Sequence, residues 1–130
     1  MPVLDLNHYS IAMAPETLAA TVRFYVDVIG LKDGPRPPFA FPGHWLYAGN
    51  SAVVHLLGNA APGARGTGTG DLDHIAFRAT GLKEMRARLA RLDVPHWERD
   101  VPGAGLQQLF VRDPHGILIE LNYPAAEAAF

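Results

Sequence analysis

The sequence predicts an α+β fold of two βαβββ modules whose mixed sheets form a curved, open barrel. Three observations carry that expectation. The chain has 130 residues, 48% of them hydrophobic and 18% charged, which suffices for one core without covalent staples. A strand, helix, strands order runs through it twice. A residue motif also recurs: Leu6-Asn7-His8 aligns with Leu72-Asp73-His74, and His55-Leu56-Leu57-Gly58-Asn59 aligns more weakly with Glu120-Leu121-Asn122. Such self-similarity marks one supersecondary unit used twice. Units that cannot bury their own faces pack side by side, and alternate residues of each strand line the resulting barrel.

Residues 1–130 are expected to form one domain, with module 1 at about 4–58, a linker at 59–70 and module 2 at about 71–123. Leu6 to Met13 is strand-like. Pro15-Glu16-Thr17 opens a helix, and Leu18, Val22, Tyr25, Val26 and Ile29 recur at helical spacing before a capping Gly30. Gly34-Pro35-Arg36-Pro37-Pro38-Phe39 excludes helix and central strand. Trp45 to Ala48 and Ala52 to Leu57 form strands around a turn at Gly49-Asn50. Asn59 to Gly70 collapses to Gly, Ala, Pro and Thr, a flexible connection. It lacks the Gly-Lys-Ser/Thr of a phosphate cradle. In the second half Leu72 to Arg78 is a strand, and Leu82, Met85, Leu89 and Leu92 make one stripe of a helix. Three strands follow, at His96 to Val101, Leu106 to Arg112 and Ile117 to Asn122.

Composition removes whole classes of function. The net charge is −2, and Lys83, Arg86, Arg88 and Arg91 read as the solvated face of the second helix, so no nucleic-acid partner is expected. No apolar run reaches membrane-spanning length, and Met1-Pro2-Val3-Leu4-Asp5 shows no basic region followed by an apolar stretch, so no signal peptide, no membrane partner and a cytoplasmic location are expected. There is no cysteine. Imidazole and carboxylate are therefore the available metal ligands.

The chemical signal lies in four polar residues on strands. Alternation puts His8, Ser10 and Ala12 on one face, and likewise His74, Ala76 and Arg78. Val53, His55 and Leu57 share a face, as do Leu118, Glu120 and Asn122. A lone strand histidine is more often a hydrogen-bonded core residue than a ligand, and a lone Glu120 could face water from an edge. Four such residues at two repeat-related places point instead to a metal site of His8, His55, His74 and Glu120. Each is expected mid-strand, where an unpaired ionisable group costs free energy to desolvate. His115, in Asp113-Pro114-His115-Gly116, reads as a turn residue, and His44 and His96 as structural or surface residues.

The chain resembles the vicinal oxygen chelate superfamily, which includes glyoxalase I, extradiol dioxygenases, fosfomycin resistance enzymes and bleomycin resistance proteins. The resemblance spans almost the whole chain. It rests on Asn7-His8-Tyr9-Ser10-Ile11, Phe24 to Leu31, Leu72-Asp73-His74-Ile75-Ala76-Phe77 and Phe110 to Glu120. It implies a paired βαβββ fold, usually homodimeric, with one divalent metal that chelates neighbouring oxygens of a small-molecule substrate. His8, His74 and Glu120 match the family's ligand places. His55 stands where glyoxalases carry a ligating glutamate and near where dioxygenases carry an acid–base histidine, and Phe110 stands where the dioxygenases carry tyrosine. The catalytic candidates are His55 and Glu120. The donor set accepts Fe, Mn, Co, Ni or Zn. A metal-dependent lyase, isomerase or dioxygenase is expected; the alternatives are a non-catalytic drug-binding protein or a fosfomycin-type thiol transferase. Phe39, Phe41 and Trp45 serve as a cavity wall or as packing.

Overall fold

A computed structural model of the chain describes residues 4–61, 74–101 and 103–129. The chain divides into two compact units, Met1–Gly66 and Thr67–Phe130. Most of the glycine-rich linker, together with Leu72 and Asp73 of the recurring motif, lies outside the described residues.

In the first unit, β1 (Tyr9–Ala12) leads into a 3-10 turn (Pro15–Thr17), α1 (Leu18–Arg23) and a π-helical stretch (Phe24–Ile29). The expected single helix is thus three helical forms in series. Thr17 and Thr21 tie its first turns together, each hydroxyl donating to a carbonyl, of Ala14 at 2.8 Å and of Thr17 at 2.9 Å. Gly30 ends it in the left-handed region at φ 93°, and its N–H and that of Leu31 both bond the Tyr25 carbonyl. Strands β2 (Lys32–Gly34), β3 (Gly43–Ala48) and β4 (Ser51–Leu57) complete a sheet of order β1-β4-β3-β2. β1 runs parallel to β4, and the remaining pairs are antiparallel.

One expectation needs correction here, and one strand adds to the sequence reading. The first strand is shorter than Leu6 to Met13, because pairing begins at Tyr9 with Val54. Leu6, with no rung partner in the ladder, is 75% exposed. The edge strand β2 escapes the periodicity, being a Lys-Asp-Gly tripeptide held to β3 until Pro35 ends it.

The second unit repeats the plan. β5 (Ile75–Arg78), α2 (Leu82–Arg91), β6 (Trp97–Val101), β7 (Leu106–Arg112) and β8 (Leu118–Pro124) form a sheet of order β5-β8-β7-β6. β5 is parallel to β8, and the rest are antiparallel. Both units are therefore βαβββ, the expected α+β plan. Leu82, Met85 and Leu89 are buried, but Leu92, beyond the helix end, is 40% exposed and drops out of the stripe. The N-terminus of α2 has no side-chain cap of its own. Glu127, from a closing 3-10 turn (Ala125–Ala129), accepts the Gly81 and Leu82 N–H groups at 2.9 and 3.1 Å.

Each sheet has a helix-covered face and a second face. In the first unit Ile11, Leu46, Val54 and Leu56 join Tyr25 and Val28 in the core, and the Tyr9 hydroxyl donates to that of Tyr25 at 3.2 Å. In the second, Leu109, Val111, Ile119 and Leu121 lie with Leu82 and Leu89, and Arg86 of α2 grips Glu98 of β6 through two bonds of 2.8 and 2.7 Å. That guanidinium holds the Glu98 carboxyl below its ordinary pKa.

The last hairpin turns on Asp113, only 5% exposed, whose Oδ1 accepts the N–H groups of His115 and Ile117 at 2.8 Å each. Gly116 supplies the positive φ of 82°. Asp113→Ala leaves both donors without that acceptor and is expected to cost about 2 kcal/mol, with Asp113→Asn costing less. Urea denaturation midpoints of the two variants check the order.

Candidate functional site

The strand registers make the four candidates equivalent in pairs. His55 stands opposite Ser10 on β4, and Glu120 stands opposite Ala76 on β8. His8 and His74 each come one residue before the first paired residue, Tyr9 or Ile75. The expectation that all four sit mid-strand therefore holds for His55 and Glu120 only. His8 and His74 precede their strands and are exposed, where imidazole needs no buried partner.

In the first unit the face away from the helix carries a stack of rings. Trp45 is the rung partner of His55, and its ring lies 4.0 Å from the imidazole at 8°. His8 covers the other side at 3.8 Å and 13°. Phe39 extends the series beside Trp45 at 6.5 Å and stacks on Phe41 at 5.4 Å, with the Arg36 guanidinium 5.1 Å from the Phe39 centroid. Burial is the larger cause of a lowered His55 pKa, and the nearby His8 lowers it further, against a smaller opposing effect of Ala52. His55 Nε2 lies 3.1 Å from the Ala52 carbonyl. A carbonyl only accepts, so the hydrogen belongs on Nε2 and the lone pair on Nδ1. A cavity of about 720 Å³, lined by Asp5, Asn7, His8, Trp45, Tyr47 and His55 among others, opens on this stack.

In the second unit the corresponding face combines polar groups with a pair of rings. His74 Nε2 lies 3.4 Å from Glu120 Oε1. Asn122 Nδ2 donates to the other carboxylate oxygen, Oε2, at 2.8 Å, and Gln108 Nε2 donates to Asn122 Oδ1 at 3.1 Å. Arg99 donates to Gln108 Oε1 from Nε at 3.0 Å and from Nη2 at 2.6 Å. Glu120 itself is 6% exposed. Phe110, its rung partner, stacks on Trp97 at 5.4 Å.

The two pairs differ as metal donors. Ligand atoms at about 2.1 Å from an ion and on neighbouring corners are roughly 3.0–3.4 Å apart. The His74–Glu120 separation fits that range. The imidazoles of His8 and His55 do not fit as they stand, because the in-plane lone pairs of nearly parallel rings do not converge on one point. Among the described residues of either unit taken by itself, no three His, Asp or Glu side chains gather closely enough to hold an ion.

The other histidines are accounted for. His44 Nδ1 meets Asp33 Oδ2 at 2.8 Å, and His96 Nδ1 meets the Val94 carbonyl at 2.8 Å. Sequence reasoning left out Gln108 and Arg99 and gave Asn122 no role. Its one usable signal was alternation, which puts Asn122 on the Glu120 face; the β6–β7 and β7–β8 registers supply the others.

Each βαβββ unit thus places a histidine just before its first strand and a second donor, His55 or Glu120, at the matching rung of its last strand. The chain belongs to the glyoxalase/bleomycin resistance protein/dioxygenase superfamily, whose family profile matches residues 6–121. It is 30% identical over 123 residues to "Glyoxylase I 4" of Arabidopsis thaliana, covering 90% of this chain and 69% of that one. Among solved structures, a glyoxalase family protein from Bacillus anthracis superposes with a TM-score of 0.75 at 20% identity, covering 95% of this chain and 98% of the other. Lactoylglutathione lyase from Agrobacterium tumefaciens superposes with a TM-score of 0.66 at 21% identity, covering 97% and 98%. These structural likenesses show the fold. Among the described residues no helix is long and apolar enough to cross a membrane.

Proposed function

We propose that this chain is a divalent-metal-dependent enzyme of the lyase or isomerase type, acting on a small substrate with neighbouring oxygens. His8, His74 and Glu120 are its ligands and His55 its acid–base residue. The single observation that carries this reading is the His74–Glu120 pair, at ligand spacing with the carboxylate held in place by Asn122. The likeness to a glyoxylase I supports lyase chemistry over ring cleavage, as does phenylalanine at position 110. What the ion supplies is Lewis acidity at two adjacent oxygens, which favours the anion left after proton removal.

The chain's own residues do the rest. His55, neutral and with Nδ1 unprotonated, accepts a proton, and the rings of His8 and Trp45 on either side keep its plane fixed. The cavity beside it admits a small molecule and gives it aromatic surface. His55→Ala is expected to keep its metal and lose about 100-fold or more in turnover, measured with hemithioacetal substrates under Ni or Zn. Loss of the metal itself would make His55 a fourth ligand.

A non-catalytic binding protein is the second reading, favoured by the stack of His8, His55 and Trp45 along the cavity. Metal analysis of purified, supplemented protein separates the two. About one equivalent is expected for the enzyme, and less than about half an equivalent assigns the chain to the binder.

A further inference from the structure

The two modules have diverged on the face that bears the candidate site. At the rung of Asn122 the first module has Leu57, and at the rung of Gln108 it has Gly43. Both modules carry rings at the neighbouring rung, Trp45 opposite His55 and Phe110 opposite Glu120, but module 2 alone adds a continuous chain of hydrogen bonds beside them. That chain crosses three strands along a single row, Arg99 opposite Gln108 and Gln108 opposite Asn122, and then turns along β8 to Glu120.

Its direction is forced by chemistry. A guanidinium has only donors, so the Gln108 oxygen must face Arg99 and the Gln108 nitrogen must face Asn122. The Asn122 oxygen is then the acceptor, and its nitrogen must turn to the carboxylate. Neither amide can flip without setting donor against donor or acceptor against acceptor. Gln108 is 8% exposed and Glu120 is 6% exposed, so water competes little for these bonds.

We propose that Arg99, Gln108 and Asn122 are positioning residues that clamp Glu120 by Oε2 and leave Oε1, beside His74, as its one presented donor atom. Resting on the metal-site reading above, this assigns Glu120 a fixed, single-oxygen role. A carboxylate tethered in this way does not swing off a metal to carry protons. Proton movement then falls to other groups, His55 first.

The test measures affinity of the purified full chain for Zn²⁺ alone and for Ni²⁺ alone by chelator competition, alongside thermal midpoints. Asn122→Leu and Gln108→Leu are each expected to weaken binding about 10-fold or more, the size of effect that outer-shell partners of metal ligands carry. The double variant is expected to bind no more weakly than Asn122→Leu, since cutting one chain twice costs no more than cutting it once. Asn122→Ser, a smaller change, serves if the leucine variant does not fold. Glu120→Ala is the reference. A large loss for Glu120→Ala with a change of under twofold for Asn122→Leu overturns the clamp and leaves the metal site standing. Additive losses in the double variant also overturn it. No loss for Glu120→Ala overturns the metal reading and the clamp together.

Discussion

Glu120→Ala is expected to weaken divalent-metal binding by more than about 100-fold, beyond the 10- to 100-fold carried by outer partners of ligands. Turnover should fall in step. The reason is the position of the carboxylate: buried at 6% exposure, with Oε2 bonded to Asn122 and Oε1 at 3.4 Å from His74. No other carboxylate occurs on that stretch of β8. His74→Ala should show a smaller loss, because His74 is more exposed and water can take its place. Titration of the apo variants with Zn²⁺ against a chelator gives both numbers. Equal affinity of Glu120→Ala and the parent chain would remove Glu120 from the ligand set.

Gly43→Ala should cost the most stability of any methyl-sized change in the first module. An added Cβ would lie 2.3 Å from the Leu56 carbonyl oxygen and 3.2 Å from Arg36 Nη2. The first contact is with backbone held in the β3–β4 ladder, where Gly43 pairs with Leu57 and His44 with Leu56, so it cannot be relieved by a side-chain rotation. About 3 kcal/mol is expected, the upper part of the usual overpacking range. The contrast is Gly49→Ala, in the turn between the same strands. There φ is +58° with nothing within 4 Å of the added carbon, so the left-handed backbone alone is penalised, at about 1 kcal/mol. Urea midpoints should rank Gly43→Ala well below Gly49→Ala. The reverse ranking would mean that β3 and β4 separate at little cost.

Much of this protein was legible without coordinates because its signals are local or repeated. Strand alternation placed Asn122 on the face of Glu120, and helical spacing picked out Leu82, Met85 and Leu89 as the buried stripe of α2. The recurrence of Asn-His and Asp-His at the heads of the two halves gave the βαβββ plan. The failures were of other kinds. β2 has too few residues to show a period and exists because β3 lies beside it. The first helix changes from α to π at Phe24, and the sequence carries no mark of that change.

The amino-acid sequence by itself determined which donors exist: imidazole and carboxylate without thiolate, at equivalent places in two modules. Only the tertiary structure decided the company each one keeps. His55 lies between Trp45 of the neighbouring β3 and His8 at the entry to β1; Glu120 meets His74 at the entry to β5, and its same-strand neighbour Asn122 is held by Gln108 from β7. Pairing across strands is settled by hydrogen-bond registers between segments far apart in the chain. A side chain's position along its own strand says which face it takes and nothing about what it meets there.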